Sequence, residues 1–206
     1  VNPMLMLAIY TFVFSFVFKI RLDHQVNEDK FAFALSLFSG LIIFNLFSEC
    51  VSRAPTLIQS NVNYVKKIIF PLEILPWVTL GSALFHAGIS LLILVVFLVM
   101  TGHSLHWSIV YLPLILLPLI LLIIGLSWLL ASIGVFIRDI GQFIGLLLTA
   151  TMFLSPIFYP VSALPESIRD YLFLNPLTFI IDQTRNVVLY GTPPDWLGLC
   201  LYYVIA

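Results

Sequence analysis

The stretch ILPWVTLGSALFHAGISLLILVVFLVM-TGHSLHWSIVY-LPLILLPLILLIIGLSWLLASIGVFI, residues 74–137, contains no Asp, Glu, Lys or Arg. A helix needs about 20 apolar residues to cross roughly 30 Å of hydrocarbon, so this run is too long for one crossing. Thr101-Gly102, followed by His103, Ser104 and His106, divides it into 74–100 and 107–137. Both pieces exceed a minimal span and must tilt or protrude. Pro76 and Pro113 sit in the first two turns, where proline disturbs a helix least, whereas Pro118 lies deeper and is expected to kink its span. The run therefore predicts two transmembrane helices.

Working outward, the rest of the chain repeats the pattern. Only 9% of the 206 residues are charged and 61% are hydrophobic, with a mean hydropathy of +1.11. A soluble domain carries about 25% charge, so a water-facing globule is excluded. The charges fall in four clusters: six over 19–30, five over 49–73, Arg138 with Asp139, and six over 166–195. Between them lie spans expected at about 3–19, 31–48, 74–100, 107–137, 140–159 and 196–206. The expected fold is an all-α polytopic membrane protein, one transmembrane domain of six helices. The opening Val1-Asn2-Pro3 and the apolar close at Leu201 to Ala206 suggest a chain missing cytoplasmic or interfacial material at both ends.

Basic residues do not orient the spans. Lys19, Arg21, Lys30, Arg169 and Arg185 fall on one side, and Arg53, Lys66, Lys67 and Arg138 on the other, close to a tie under the positive-inside rule. No clustered basic face exists for phosphate contacts, so nucleic acid is not an expected partner. Cys50 and Cys200 stand far apart in apolar surroundings and read as small hydrophobes. No metal site is expected: His103 and His106 lack a third ligand.

Two connectors hold more information. Val51, Ala54, Ile58, Val62 and Val65 recur at helical spacing, which predicts an amphipathic helix over about 51–67 with Pro55 near its first turn. It suits either the membrane interface or docking to a soluble partner, and its amide- and hydroxyl-rich polar face favours a protein slightly. Residues 155–195 hold six of the twelve prolines and two short helical runs, 166–174 and 177–190, too short to cross. In the second, Leu177, Ile180, Ile181, Thr184, Val187 and Val188 form an apolar face, with Asp182 and Arg185 together on another. A re-entrant hairpin over about 160–195 follows, either a lid over a pore or an interfacial anchor.

Three smaller features stay open. Tyr10, Phe14 and Phe18 form a stripe on the first span, and Phe153, Phe158 and Tyr159 cluster before the hairpin; such rings stack on sugars or simply face lipid. His86, in mid-span, is either functional or hydrogen-bonded to a neighbouring helix. Gly141 and Gly145 are spaced to seat a close helix contact. No span centre carries Asp, Glu, Lys or Arg, which weakens an ion-coupled carrier. No G-x-x-x-x-G-K-[ST] is present, so this chain does not itself cradle nucleotide phosphate.

The run Asn63-Tyr64-Val65-Lys66-Lys67-Ile68-Ile69-Phe70-Pro71-Leu72-Glu73-Ile74-Leu75-Pro76 resembles type-2 ABC exporter permeases for polysaccharides, the O-antigen, capsule and teichoic-acid exporters. Arg138-Asp139-Ile140-x-Gln142, Ser155-Pro156-Ile157-Phe158-Tyr159-Pro160 and Leu174-Asn175-Pro176-Leu177-Thr178 match in order and spacing. Tyr64 and Leu72 depart from the usual leucine-like residue and arginine. The O-antigen branch is nearest.

The resemblance implies a multi-pass permease of the bacterial inner membrane with both termini cytoplasmic and an N-terminal interfacial helix before the first span, a helix that would be missing here. It pairs with a second copy of itself and two ATPase subunits, which hold ATP and magnesium; this chain is not itself an enzyme. Helix 51–67 becomes the cytoplasmic coupling helix, with Glu49, Arg53, Gln59, Asn63, Lys66, Lys67, Phe70 and Glu73 as coupling residues and Arg138 and Asp139 as a brace. Residues 160–195 become a periplasmic hairpin marked by Pro156, Pro160, Asn175, Pro176, Asp182 and Arg185. Tyr10, Phe14, Phe18, Phe153, Phe158 and Tyr159 are expected to line a channel between the two permeases for a lipid-linked polysaccharide amid membrane lipids. A drug or lipid cargo on the same architecture, or a secondary transporter, are the alternatives.

Overall fold

The computed structural model describes residues 30–61, 71–101, 106–137, 139–159, 172 and 175–206. Every regular element among these residues is helical. Helix α1 is Lys30–Arg53, α2 Leu57–Ser60, α3 Ile74–Met100, α4 Leu112–Phe136, α5 Ile140–Leu154, α6 Pro176–Val188 and α7 Trp196–Ile205. A 3₁₀ turn, Ala54–Thr56, joins α1 to α2, and another, Trp107–Tyr111, leads into α4.

Three helical segments are long and apolar enough to cross a membrane: Phe33–Ser60, Ile74–Met100 and Trp107–Phe136. The run over 74–100 has the expected limits. Helix α5 has 15 residues, roughly 22 Å of rise, and ends at Leu154 where a span to 159 was expected. The chain then turns through Ser155 to Tyr159 because Pro156 cannot donate the next helical bond. The expected first span, 3–19, lies outside the described residues.

Pro118 stays inside α4 without ending it. Its missing N–H would leave the Leu114 carbonyl, one helical turn earlier, without its helical donor. The Tyr203 hydroxyl of α7 donates to that carbonyl at 2.8 Å. The break is thus repaired from a neighbouring helix, as proline in a membrane helix requires.

The core lies where α1, α4 and α6 meet, with Leu35, Ile43, Ile115, Ile123, Leu177 and Ile180 fully buried. On α6 the expected apolar face, Leu177, Ile180, Ile181, Thr184, Val187 and Val188, is buried as a unit. Gln183 and Arg185 are buried with it. Arg185 therefore does not share an outward polar face with Asp182, and no ion pair joins the two among the described residues.

Candidate functional site

Two ends of the bundle hold most of the polar chemistry. At one end, the start of α1, the end of α5, the start of α4 and all of α6 converge. Asn175 caps α6 by accepting from the Leu177 amide at 3.0 Å, and its amide donates to Ser155 Oγ at 2.8 Å. Ser155 is fully buried and donates to the Thr151 carbonyl at 2.7 Å. The Pro176 carbonyl accepts from Tyr202 Oη at 2.8 Å. The Ser155-Pro156-Ile157 and Asn175-Pro176-Leu177 motifs, about twenty residues apart in sequence, are therefore one physical joint.

Arg185 locks that joint. Its side chain, 5% exposed, donates from Nε to the Ser36 carbonyl at 3.1 Å and from Nη2 to the Ile157 carbonyl at 2.7 Å. Gly40 on α1 leaves room for the guanidinium, since a Cβ there would stand 3.2 Å from Nη2. Burial lowers the Arg185 pKa, with Asp182 pulling it back up. Burial likewise raises the Asp182 carboxyl, against the opposing pull of Arg185 and the Asn186 hydrogen bond. Ser108 donates to the Val187 carbonyl at 2.8 Å and the Asp195 amide donates to Gln183 at 2.9 Å. Past the helix, Gly191 takes the left-handed φ of 68° that suits glycine, beneath the His106 ring, which leaves no space for a Cβ.

At the opposite end, the turn after α1 sits on the end of α4. A Cβ on Gly134 would overlap the Pro55 backbone, so only glycine permits this approach. Gln59 donates to the Gly134 carbonyl at 2.6 Å. Trp128 donates from Nε1 to the Glu73 carbonyl at 3.2 Å and meets Trp77 edge to face. The separate helix expected over 51–67 instead begins as the last turn of α1, passes through the 3₁₀ turn and ends its described part in α2 and Asn61. Val51 and Ala54 are buried as the periodicity implied, and Leu57 joins them.

Glu49 and Arg53 occupy a third place. Both belong to α1, where Arg53 Nη2 pairs with Glu49 at 3.0 Å. His86, halfway along α3, meets the same carboxylate through Nδ1 at 3.1 Å. The mid-span histidine thus does bond to a neighbouring helix. Glu49, in the last turn of α1, is set against the middle of α3.

The remaining expected residues divide cleanly. Phe153 and Phe158 stack at 6.2 Å, and Tyr159 donates to the Phe153 carbonyl at 3.3 Å, so these three do cluster. Pro156 is buried. Asp139 precedes α5 without capping it through its side chain. Gly141 and Gly145 have nothing within 4 Å of a Cβ among the described residues, so they seat no contact there. Tyr10, Phe14, Phe18, Asn63, Lys66, Lys67, Phe70, Arg138 and Pro160 lie outside the described residues. Sequence reasoning missed Gly134, whose only signal is a glycine inside a helix near its end, and Tyr203, which no local pattern marks.

A bundle of long apolar helices with polar joints at both ends defines an all-helical, multi-span membrane protein. A family description of ABC-2 type transporters matches residues 1–189, and the chain belongs to that family. It is similar to the O-antigen export system permease protein RfbA of Klebsiella pneumoniae, 25% identical over 192 residues, 93% of this chain and 71% of that protein. RfbA of Myxococcus xanthus is 26% identical over 196 residues, covering 94% and 72%. The polysialic acid transport protein KpsM of Escherichia coli is 28% identical over 190 residues, covering 85% and 68%.

Proposed function

We propose that this chain is the membrane-spanning permease subunit of an ATP-driven exporter in the bacterial inner membrane, and that its cargo is a lipid-linked polysaccharide of the O-antigen kind. The observation carrying this reading is family membership joined to relatives whose names specify O-antigen export and polysialic acid transport. Two copies, each of six spans, pair with two ATPase subunits that bind ATP and magnesium, and the glycan passes between the copies. Residues 51–67 couple the ATPase to the membrane, and 160–195 form the periplasmic hairpin.

The contacts at Gly134 support a route for the stroke. A push on the segment after α1 meets Pro55 and Gln59, which bear on the end of α4. Helix α4 runs the length of the bundle, and the turn at its other end holds Val187 of α6 through Ser108. Movement at the cytoplasmic end is thereby delivered to the hairpin.

The test uses the permease with its ATPase partner in a strain lacking its own exporter. Lys66→Glu with Lys67→Glu is expected to insert and dimerise normally while losing ATPase stimulation and surface glycan. Unchanged export would overturn the coupling assignment. Export without any ATPase subunit would overturn the power source and favour a secondary transporter.

A further inference from the structure

Between α1 and α3 lies a groove of about 440 Å³, within the ~300–1,000 Å³ range of small-ligand sites. Its α1 wall is a polar stripe, Asn45, Ser48, Glu49, Ser52 and Arg53, at spacings of three, one, three and one, which is one helix face. Helix α3 supplies His86 and Ser90, and Ile42, Leu46 and Ala87 complete an apolar floor. Such a stripe is unfavourable against hydrocarbon, and polar groups within spans mark ligand pathways.

The charges of the groove are closed on one another. Glu49 accepts from Arg53 at 3.0 Å and from His86 at 3.1 Å. An anionic head group would have to lie beside the Glu49 carboxylate, and a cation beside Arg53. Left available are the exposed Asn45 amide, the remaining guanidinium donors, and serine hydroxyls. Ser52 and Ser90, which line the groove, donate to the Glu49 and His86 carbonyls, so what their hydroxyl oxygens still offer a ligand is acceptance. Adjacent donors and acceptors over an apolar floor match a pyranose, with its neighbouring hydroxyls and C–H face.

We infer that this groove between α1 and α3 is a binding site for a neutral sugar residue of the transported glycan. The inference rests on the polysaccharide-export reading and assigns contacts to the polar stripe that the stacked aromatics do not provide. The groove is open on one side and its hydrogen bonds are few, so a sugar is held in passing.

The test places the photo-crosslinker p-benzoylphenylalanine at Asn45 in the complete exporter, in cells that export glycan through the wild-type chain. Irradiation is expected to yield a permease band that stains for carbohydrate by periodate oxidation. Asn45→Leu, with unchanged melting of the purified complex, is expected to slow export about two- to tenfold, the loss of one hydrogen bond. A crosslink carrying only phospholipid, or only permease sequence, would overturn the inference and leave the export reading intact. Absence of glycan export by the wild-type chain with its partner would overturn both.

Discussion

Helices α3 and α6 are opposites. Helix α3 has 27 residues and no charge, yet only 22% of its most apolar window is buried. Helix α6 has 13 residues, among them Gln183, Thr184 and Arg185, all buried. In water this order would be reversed. Lipid is as apolar as leucine, so an apolar helix gains little by turning inward and association depends on packing and polar bonds. The polar helix must bury its strongest groups where they find partners. Arg185, Gln183 and the Pro176 and Val187 carbonyls find them on α1, the turn before α4, the α5–α6 connection and the start and body of α7, while the buried Thr178 and Thr184 hydroxyls have none among the described residues. Apolarity therefore marks the spans, and polarity marks the joints between them.

The contrast breaks most easily at Arg185. Arg185→Met removes two bonds from a charged donor, each contributing roughly 1.5–3 kcal/mol, and leaves the Ser36 and Ile157 carbonyls without that donor. We expect a loss of about 3 kcal/mol or more, read as a large fall in the melting temperature of the detergent-solubilised protein, with export abolished. Leu92→Ala, on the outward side of α3 where the side chain is 64% exposed, is the matched control and should leave melting unchanged. If the two substitutions behaved alike, the distinction between the helices would fail.

Gly134 sharpens the comparison within a single helix. Valine there would drive into the Pro55 backbone, and such overpacking costs about 1–3 kcal/mol. The expected result is a moderate fall in melting temperature with a larger loss of ATPase stimulation, because the contact displaced belongs to the segment proposed to couple. Gly125 in the same helix has open space at its Cβ, so Gly125→Ala should be neutral or raise stability by up to about 1 kcal/mol. Equal effects at the two positions would remove the special role of the Pro55 contact.

What was legible in the sequence follows the same division. The limits 74–100 could be read because membrane thickness and a proline-tolerant first turn act locally. The buried face of α6 could be read because periodicity is local too. The inward turn of Arg185 could not, since its acceptors, Ser36 and Ile157, are distant in sequence. Pro118 could be recognised as a defect, but its repair by Tyr203 depends on a helix some eighty residues later. Glu49 was singled out for coupling to an ATPase, and its partner His86 could not be read because the two stand 37 residues apart on different helices. Motif resemblance identified Ser155 and Asn175 as a pair of segments; only the fold shows that they bond.

The finest probe of the joint is Asp182, which stands on the same helix as Arg185 without forming an ion pair with it. Burial raises its pKa from 3.8, so the folded state takes up a proton more readily than the unfolded chain. With more protons bound when folded, stability increases as pH falls through the raised value toward 3.8 and is lower again above it. This is the reverse of a salt-bridged carboxylate, whose contribution disappears on acidification. Asp182→Asn removes the titration while keeping an acceptor for the Asn186 amide, 3.4 Å away. The variant should melt slightly higher than the wild type at neutral pH and lose the wild type's gain on mild acidification. A wild-type melting temperature that instead fell through this window, with the variant flat, would mean that Asp182 is held as a paired anion and that α6 is fastened by charge pairing after all.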